Sequence, residues 1–250
     1  MRPPEPRILP AARQYWSDIA SRTGRFAATR ALVTAFWEFC RDSTPARLRQ
    51  RYGDADYDWE YRVNTTSGAV GWRDRLLGEF HSQYQPTEPA VFHEMLARLA
   101  RDFDLNFGDL TFLDLGSGKG RTLLMASDYP FRRIVGVELL PALDQIAKEN
   151  LRDYKNESQK CFALESLCAD ATTFTFPDGA LLVYLFNPLP EAGLRRVVAN
   201  LDQSLRANPR PVYVLYHNPL LEHTLVESAH LSKVSGTHQY SLFAALTGRS

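Results

Sequence analysis

The strongest chemical signal in the 250 residues is the run Phe112-Leu113-Asp114-Leu115-Gly116-Ser117-Gly118-Lys119-Gly120-Arg121. An apolar stretch enters a glycine-rich turn that opens a helix. Glycines there let bare main chain approach a ligand, and the helix start offers unpaired N–H groups. A phosphate-binding loop needs G-x-x-x-x-G-K-[ST], but Gly120 follows Lys119 and Leu113 stands where the first glycine belongs. A dinucleotide fingerprint, G-x-G-x-x-G/A, would place its third small residue at Arg121. The order present is acid-x-G-x-G-x-G, with Asp114 two residues ahead of the first glycine. A second candidate, Asp54-x-Asp56-x-Asp58, has the spacing of a calcium loop. It lacks the glycine and glutamate that loop requires, since Trp59 and Thr65 hold those positions. No metal-ligand cluster is evident, and a metal site is not expected.

These residues need elements to hold them. From about Gln85 onward, apolar strand-like runs at 111–115, 134–138, 164–168, 180–186 and 212–217 alternate with helical segments, which predicts a parallel sheet covered on both faces. A helix over 88–104, capped by Thr87, shows Phe92, Leu96, Leu99 and Phe103 on one face. Two final runs, 231–235 and 240–246, flank Gly236-Thr237-His238-Gln239 and predict a hairpin. The first 80 residues read as helices and loops. One helix carries the stripe Phe26, Val33, Phe36, Trp37 and Cys40, and a shorter one carries Tyr15, Trp16 and Ile19 and ends at Gly24. Another opens at Thr44-Pro45, and Tyr57-Asp58-Trp59-Glu60-Tyr61 reads as a loop of interleaved acids and aromatics.

Taken together, the glycine loop and its surroundings resemble motif I of the class I S-adenosylmethionine-dependent methyltransferases, over roughly residues 84–250. The resemblance implies a Rossmann-like, seven-stranded, mostly parallel α/β sheet with a C-terminal β-hairpin, preceded by an N-terminal helical extension. It divides the chain into residues 1–83, a lid, and 84–250, the methyltransferase domain. It implies S-adenosyl-L-methionine as cofactor. Asp114, Gly116, Ser117, Gly118 and Gly120 would form the loop along its methionine part, Glu138 would bind the ribose hydroxyls, and Asp170 and Ala171 would meet the adenine. A carboxylate suits a vicinal diol because it accepts from both hydroxyls. Asn187, in Asn187-Pro188-Leu189-Pro190, matches the position beside the transferable methyl. Tyr84 and Thr87 precede the loop by one helix, where related enzymes fold a segment over the methionine part; Thr87 as a simple helix cap and Tyr84 as packing are the plainer alternatives. The run DLGSGKGR is also similar to the histone-lysine enzymes that lack a SET domain, whose DNA- or nucleosome-binding tails are not recognisable here.

The acceptor is less legible. Asn187-Pro188 shares only part of the Asn/Asp-Pro-Pro-aromatic motif of amino-group methylation, because Leu189 and Pro190 replace the second proline and the aromatic. His217, at the end of the fifth strand, is the candidate base for a hydroxyl acceptor. Asn187 and His217 are thus the two candidate catalytic residues. Composition bounds the partners. Lys+Arg and Asp+Glu are 29 each, which argues against a protein whose main task is coating nucleic acid, though not against one local RNA contact. Residues 1–51 carry +6 and residues 52–110 carry −6, which reads as two blocks packed together or as a basic face beside an acidic mouth. Three cysteines without a C-x-x-C pair and no long apolar segment make a cytoplasmic, non-membrane setting the expectation. The expected partner is an unidentified methyl acceptor, a small molecule or protein side chain, and the oligomeric state is open. A nicotinamide-dependent NAD(P) oxidoreductase and a non-catalytic cofactor-binding module are the rival readings.

Overall fold

The computed structural model describes residues 8–42, 55–65 and 87–245. The expected Thr44-Pro45 helix, Tyr84, Asp54 and the end of the last strand run lie outside those residues. Seven strands form one sheet: β1 (Thr111–Leu115), β2 (Arg133–Glu138), β3 (Leu164–Cys168), β4 (Leu181–Leu185), β5 (Val212–His217), β6 (Ser232–Gly236) and β7 (Tyr240–Ala245). Their order is β3-β2-β1-β4-β5-β7-β6. The first five are parallel, and β7 runs antiparallel to both β5 and β6. Insertion of an antiparallel β7 beside β5 departs from the 3-2-1-4-5-6 order of a dinucleotide fold. The sheet is the α/β, mostly parallel arrangement that the alternating runs predict.

Eight helices among the described residues surround it: α1 (Ile8–Thr23), α2 (Arg25–Asp42), α3 (Ala55–Tyr61), α4 (Pro89–Phe103), α5 (Arg121–Ala126), α6 (Pro141–Asp153), α7 (Glu191–Ala207) and α8 (Glu222–Val226). Strand side chains alternate between two cores. Leu113, Leu115, Val183 and Leu185 meet Leu194, Val197, Val198 and Leu201 of α7 on one face. Phe112, Leu182 and Tyr184 meet Phe92, Met95, Leu96 and Leu99 of α4 and Leu123 of α5 on the other. Because β1 and β4 are in register, Asp114 stands beside Tyr184 on that second face.

Three local readings are corrected. Thr87 does not cap α4: Glu88 is the capping residue, without a side-chain cap bond, and Pro89 takes the first turn. The Tyr57–Tyr61 stretch, read as a loop, belongs to helix α3. The α2 stripe is turned outward, with Phe26, Val33, Phe36 and Trp37 at 55–87% exposure while Ala28 and Ala35 are buried. Alanines let α2 approach α1 closely, so Ala35 joins Ala11, Leu140 and Leu143 in a small cluster with Leu32 and Tyr15. That contact docks the N-terminal pair against the start of α6.

Candidate functional site

The strand order reverses between β1 and β4, and in open α/β sheets ligands bind outside the carboxyl ends of the strands at such a point. The glycine loop leaves β1 there. Gly116, Gly118 and Gly120 have φ of 87°, 55° and 81°, the left-handed region that glycine enters without a steric penalty. At Gly116 space matters as well: a Cβ would lie 2.5 Å from Pro188 Cβ, so the loops after β1 and β4 touch at this point. Gly136 on β2 serves the same loop from below, since a Cβ there would meet Ser117 Oγ and Leu123 Cδ1 at 2.6 Å.

Glu138 points into the turn. Its Oε2 accepts from Gly118 N at 2.9 Å and its Oε1 from Leu140 N at 2.8 Å. Burial pushes its carboxyl up to about 7 against those two donors. Asp114 is likewise raised to about 7 by burial, although the Thr122 hydroxyl donates to it. Ser117 Oγ is buried and has no hydrogen-bond partner among the described residues. Asp170 Oδ1 accepts from Thr172 N at 2.8 Å in an Asx turn, and the neighbouring Ala171 side chain packs into the core.

The remaining candidates sit at the ends of β4 and β5. Asn187 adopts φ 45°, accepts from the Tyr216 hydroxyl at 2.8 Å and donates to Asn218 O at 2.8 Å, so its amide braces two loops and keeps one N–H and one lone pair spare. His217 stacks on Phe186, with ring centroids 4.3 Å apart, and burial lowers its pKa to about 4, which keeps the imidazole neutral. Its Nδ1 is 2.8 Å from the Tyr184 hydroxyl, which is in turn 3.0 Å from Thr87 Oγ1. Tyr184 and Gly136 were not singled out from sequence. Each sits inside a strand run, where a tyrosine reads as core and a glycine as a weak strand residue.

The N-terminal helices meet the rest of the chain at two places. Ala11, Gln14, Tyr15 and Asp18 of α1 roof a cleft of about 90 Å³ whose floor includes Leu139, Asp170, Thr172 and Pro190. Arg22 of α1 pairs with Glu191 at the start of α7. Glu191 is held down to about 2 by His223, with Arg195 and Arg22 adding to the effect. Helix α3 lies elsewhere. The Tyr57 ring covers the buried Arg121 guanidinium at 4.3 Å, and Lys119 Nζ donates to Asn64 Oδ1 at 2.9 Å with its pKa lowered to about 8 by burial. Residues 55–65 thus meet two of the chain's own cations, Arg121 and Lys119.

Residues 113–206 match the family model described as a methyltransferase domain. This stretch is similar to methyltransferase domains. The match spans the glycine loop, Glu138, Asp170, Asn187 and α7, while His217 and the hairpin lie beyond it. A curated relative from Chlamydia caviae, described as an uncharacterized RNA methyltransferase, is 27% identical over 214 residues, covering 73% of this chain and 50% of its own. The chain thus spans about half the length of that relative. Among solved structures, a protein from Pyrococcus horikoshii covers 62% of this chain and 88% of its own at 14% identity and a TM-score of 0.46. An RNA methyltransferase from Salinibacter ruber, in complex with S-adenosyl-L-homocysteine, covers 64% and 92% at 22% identity and a TM-score of 0.39. The described residues contain no group of three or more His, Cys, Asp or Glu placed to hold a metal ion. None of their helices is long and apolar enough to cross a membrane.

Proposed function

We propose that this chain transfers a methyl group from S-adenosyl-L-methionine to a small molecule or protein side chain. The observation that carries the reading is the pairing of a left-handed glycine turn with the buried Glu138 carboxylate at the switch point of the sheet. The residues fit the cofactor. Ser117 Oγ is a buried polar atom awaiting a partner, and the Glu138 oxygens keep lone pairs beyond those used by Gly118 and Leu140. In this reading Gly116, Ser117, Gly118 and Gly120, with Thr87 and Tyr84, hold the amino-acid part. Glu138 takes the ribose, and Asp170 with the Ala171 backbone takes the adenine. Asp114, tied to Thr122, fixes the loop from behind. Residues 1–83 act as the cover, and residues 84–250 as the methyltransferase domain.

When bound, the cofactor supplies a sulfonium methyl that leaves by direct displacement. The protein's share is alignment and proton handling. With its pKa near 4, His217 is a weak base but an unprotonated hydrogen-bond acceptor at neutral pH. It suits an acceptor whose N–H or O–H needs orienting, and whose proton becomes acidic as the new bond to carbon forms. Helix α1 borders a cleft of about 90 Å³ that also includes Asp170 and Thr172, so in this reading α1 lies beside the adenine end of the site.

The antiparallel β7 and Arg121 weigh against a nicotinamide oxidoreductase. An RNA acceptor is the second reading, favoured by the name of the Chlamydia caviae relative and opposed by the balanced charge. The test is transfer of a tritiated methyl from the cofactor into lysate separated into protein, RNA and small molecules. Label in the protein or small-molecule fraction supports the proposal, and label confined to RNA replaces its acceptor class. Cofactor binding without label in any fraction would leave a binding module.

A further inference from the structure

Tyr184 has no part in the scheme above, yet its hydroxyl is fully buried between two site residues. It lies 3.0 Å from Thr87 Oγ1 and 2.8 Å from His217 Nδ1. The rings of Phe92 and Phe112 pack around it, at 5.6 Å and 6.1 Å between centroids. Burial raises its pKa well above the ordinary value, with the neighbouring Asp114 pushing the same way, so it remains a phenol.

One phenolic proton must serve two hydrogen bonds, which leaves two arrangements that satisfy both. In the first, Thr87 donates to Tyr184 and Tyr184 donates to His217 Nδ1. The imidazole proton then sits on Nε2, and that nitrogen is a donor. In the second, His217 Nδ1–H donates to Tyr184 and Tyr184 donates to Thr87. Now Nε2 carries a free lone pair, and the Thr87 proton points to a third partner. The bonding state of Thr87 thereby selects the tautomer of a histidine it does not touch.

The geometry points to Tyr184 as a positioning residue that couples the occupied crevice to His217: a Thr87 hydroxyl donating to the carboxylate of the cofactor's amino-acid part turns the chain, and His217 presents a bare Nε2 to the methyl acceptor. This rests on the proposed cofactor. A carboxylate suits Thr87 because α4 begins two residues later, and a 15-residue helix places partial positive charge at its start. The intervening Glu88 side chain is exposed and lines an outer cleft with Glu60, His93 and Asp128. In the transfer, the acceptor's new bond to the methyl carbon forms as the carbon–sulfur bond breaks, and sulfur keeps the electron pair. The acceptor's proton passes to Nε2 while Nδ1–H stays on Tyr184, and Nε2 later releases its proton to water. Before the donor is loaded, Nε2 carries a proton and cannot accept one.

The experiment is nitrogen-15 NMR of the histidines in the full chain at neutral pH, with and without S-adenosylhomocysteine. The His217 signals are assigned by their loss in His217→Phe, and binding is followed by calorimetry on the same samples. The expected result is an Nε2–H imidazole without ligand and an Nδ1–H imidazole with it. Tyr184→Phe should bind the ligand but stay Nε2–H, and turn over roughly tenfold more slowly at an unchanged KM for the cofactor. Thr87→Val should also stay Nε2–H, with weaker ligand binding and a raised KM because it loses its own contact to the cofactor. Ligand binding with His217 unchanged overturns the coupling and leaves the proposed function standing. A switch that survives in Thr87→Val also overturns it. Failure to bind the ligand overturns both.

Discussion

Gly118 donates its backbone N–H to Glu138 Oε2 at 2.9 Å, joining the glycine turn to the end of β2 through a carboxyl group that burial holds at about 7. In the proposed site, ribose hydroxyls would donate to the ionised form, which grows from about a tenth to about nine-tenths of the population between pH 6 and 8. Affinity for S-adenosylhomocysteine should therefore rise about tenfold across that interval. Glu138→Gln should bind more weakly and show a flat profile. Calorimetric titration at three pH values checks both, and a parallel rise in the variant would assign the dependence to another group.

The contact of Gly116 with Pro188 makes the turn intolerant of any side chain. Gly116→Ala meets both a left-handed φ and a 2.5 Å approach, and should cost about 2 kcal/mol or more. For a chain of this size that corresponds to a fall of roughly 4–8 °C in Tm. Gly179→Ala, where nothing lies within 4 Å of the added carbon, is the matched control and should melt as the parent does. Equal melting of both variants would mean that the turn relaxes without penalty.

Arg22 and Glu191 tie α1 to the start of α7, and both are partly open to solvent; if α1 is the proposed cover, this pair holds it shut. An exposed ion pair contributes roughly 0.2–1 kcal/mol, so removing it speeds an opening step by at most about fivefold. Arg22→Ala should raise the association rate of S-adenosylhomocysteine by about two- to fivefold in stopped-flow fluorescence. An unchanged rate would show that the helix does not gate entry.

The sheet was legible because β1, β2, β4 and β5 are buried on both faces and read as short apolar runs between turn residues, as 111–115 and 212–217 do, while the edge strand β3 is only partly buried. The glycine turn and Glu138 were legible because backbone conformation and strand-end position restrict residue type. The two N-terminal helices were legible too, with their break at Gly24, but which of their faces is buried was not. In α2 the large residues Phe26, Phe36 and Trp37 outscore Ala28 and Ala35 on any apolar count, yet close helix approach favours the small ones. Nor could spacing reveal that Tyr184 joins Thr87 to His217, since those contacts span 97 and 33 residues of chain.

His217 and the two buried carboxyls pull stability in opposite directions with pH. A carboxyl raised from about 4 to about 7 keeps a proton in the folded state that the unfolded state has lost, so Glu138 and Asp114 make stability fall as pH rises toward 7. His217, lowered from 6.5 to about 4, is protonated first in the unfolded chain, so its contribution is present above pH 6.5 and is lost as pH falls toward 4. Between pH 5 and 6.5 these three sum to a fall with rising pH, because two groups outweigh one. His217→Phe keeps an aromatic ring against Phe186 but removes the opposing imidazole. Its denaturation midpoint should therefore decline with pH more steeply than that of the parent. Urea unfolding at pH 5, 5.75 and 6.5 checks this, and parallel curves for the two proteins would mean that His217 is as readily protonated in the fold as in water.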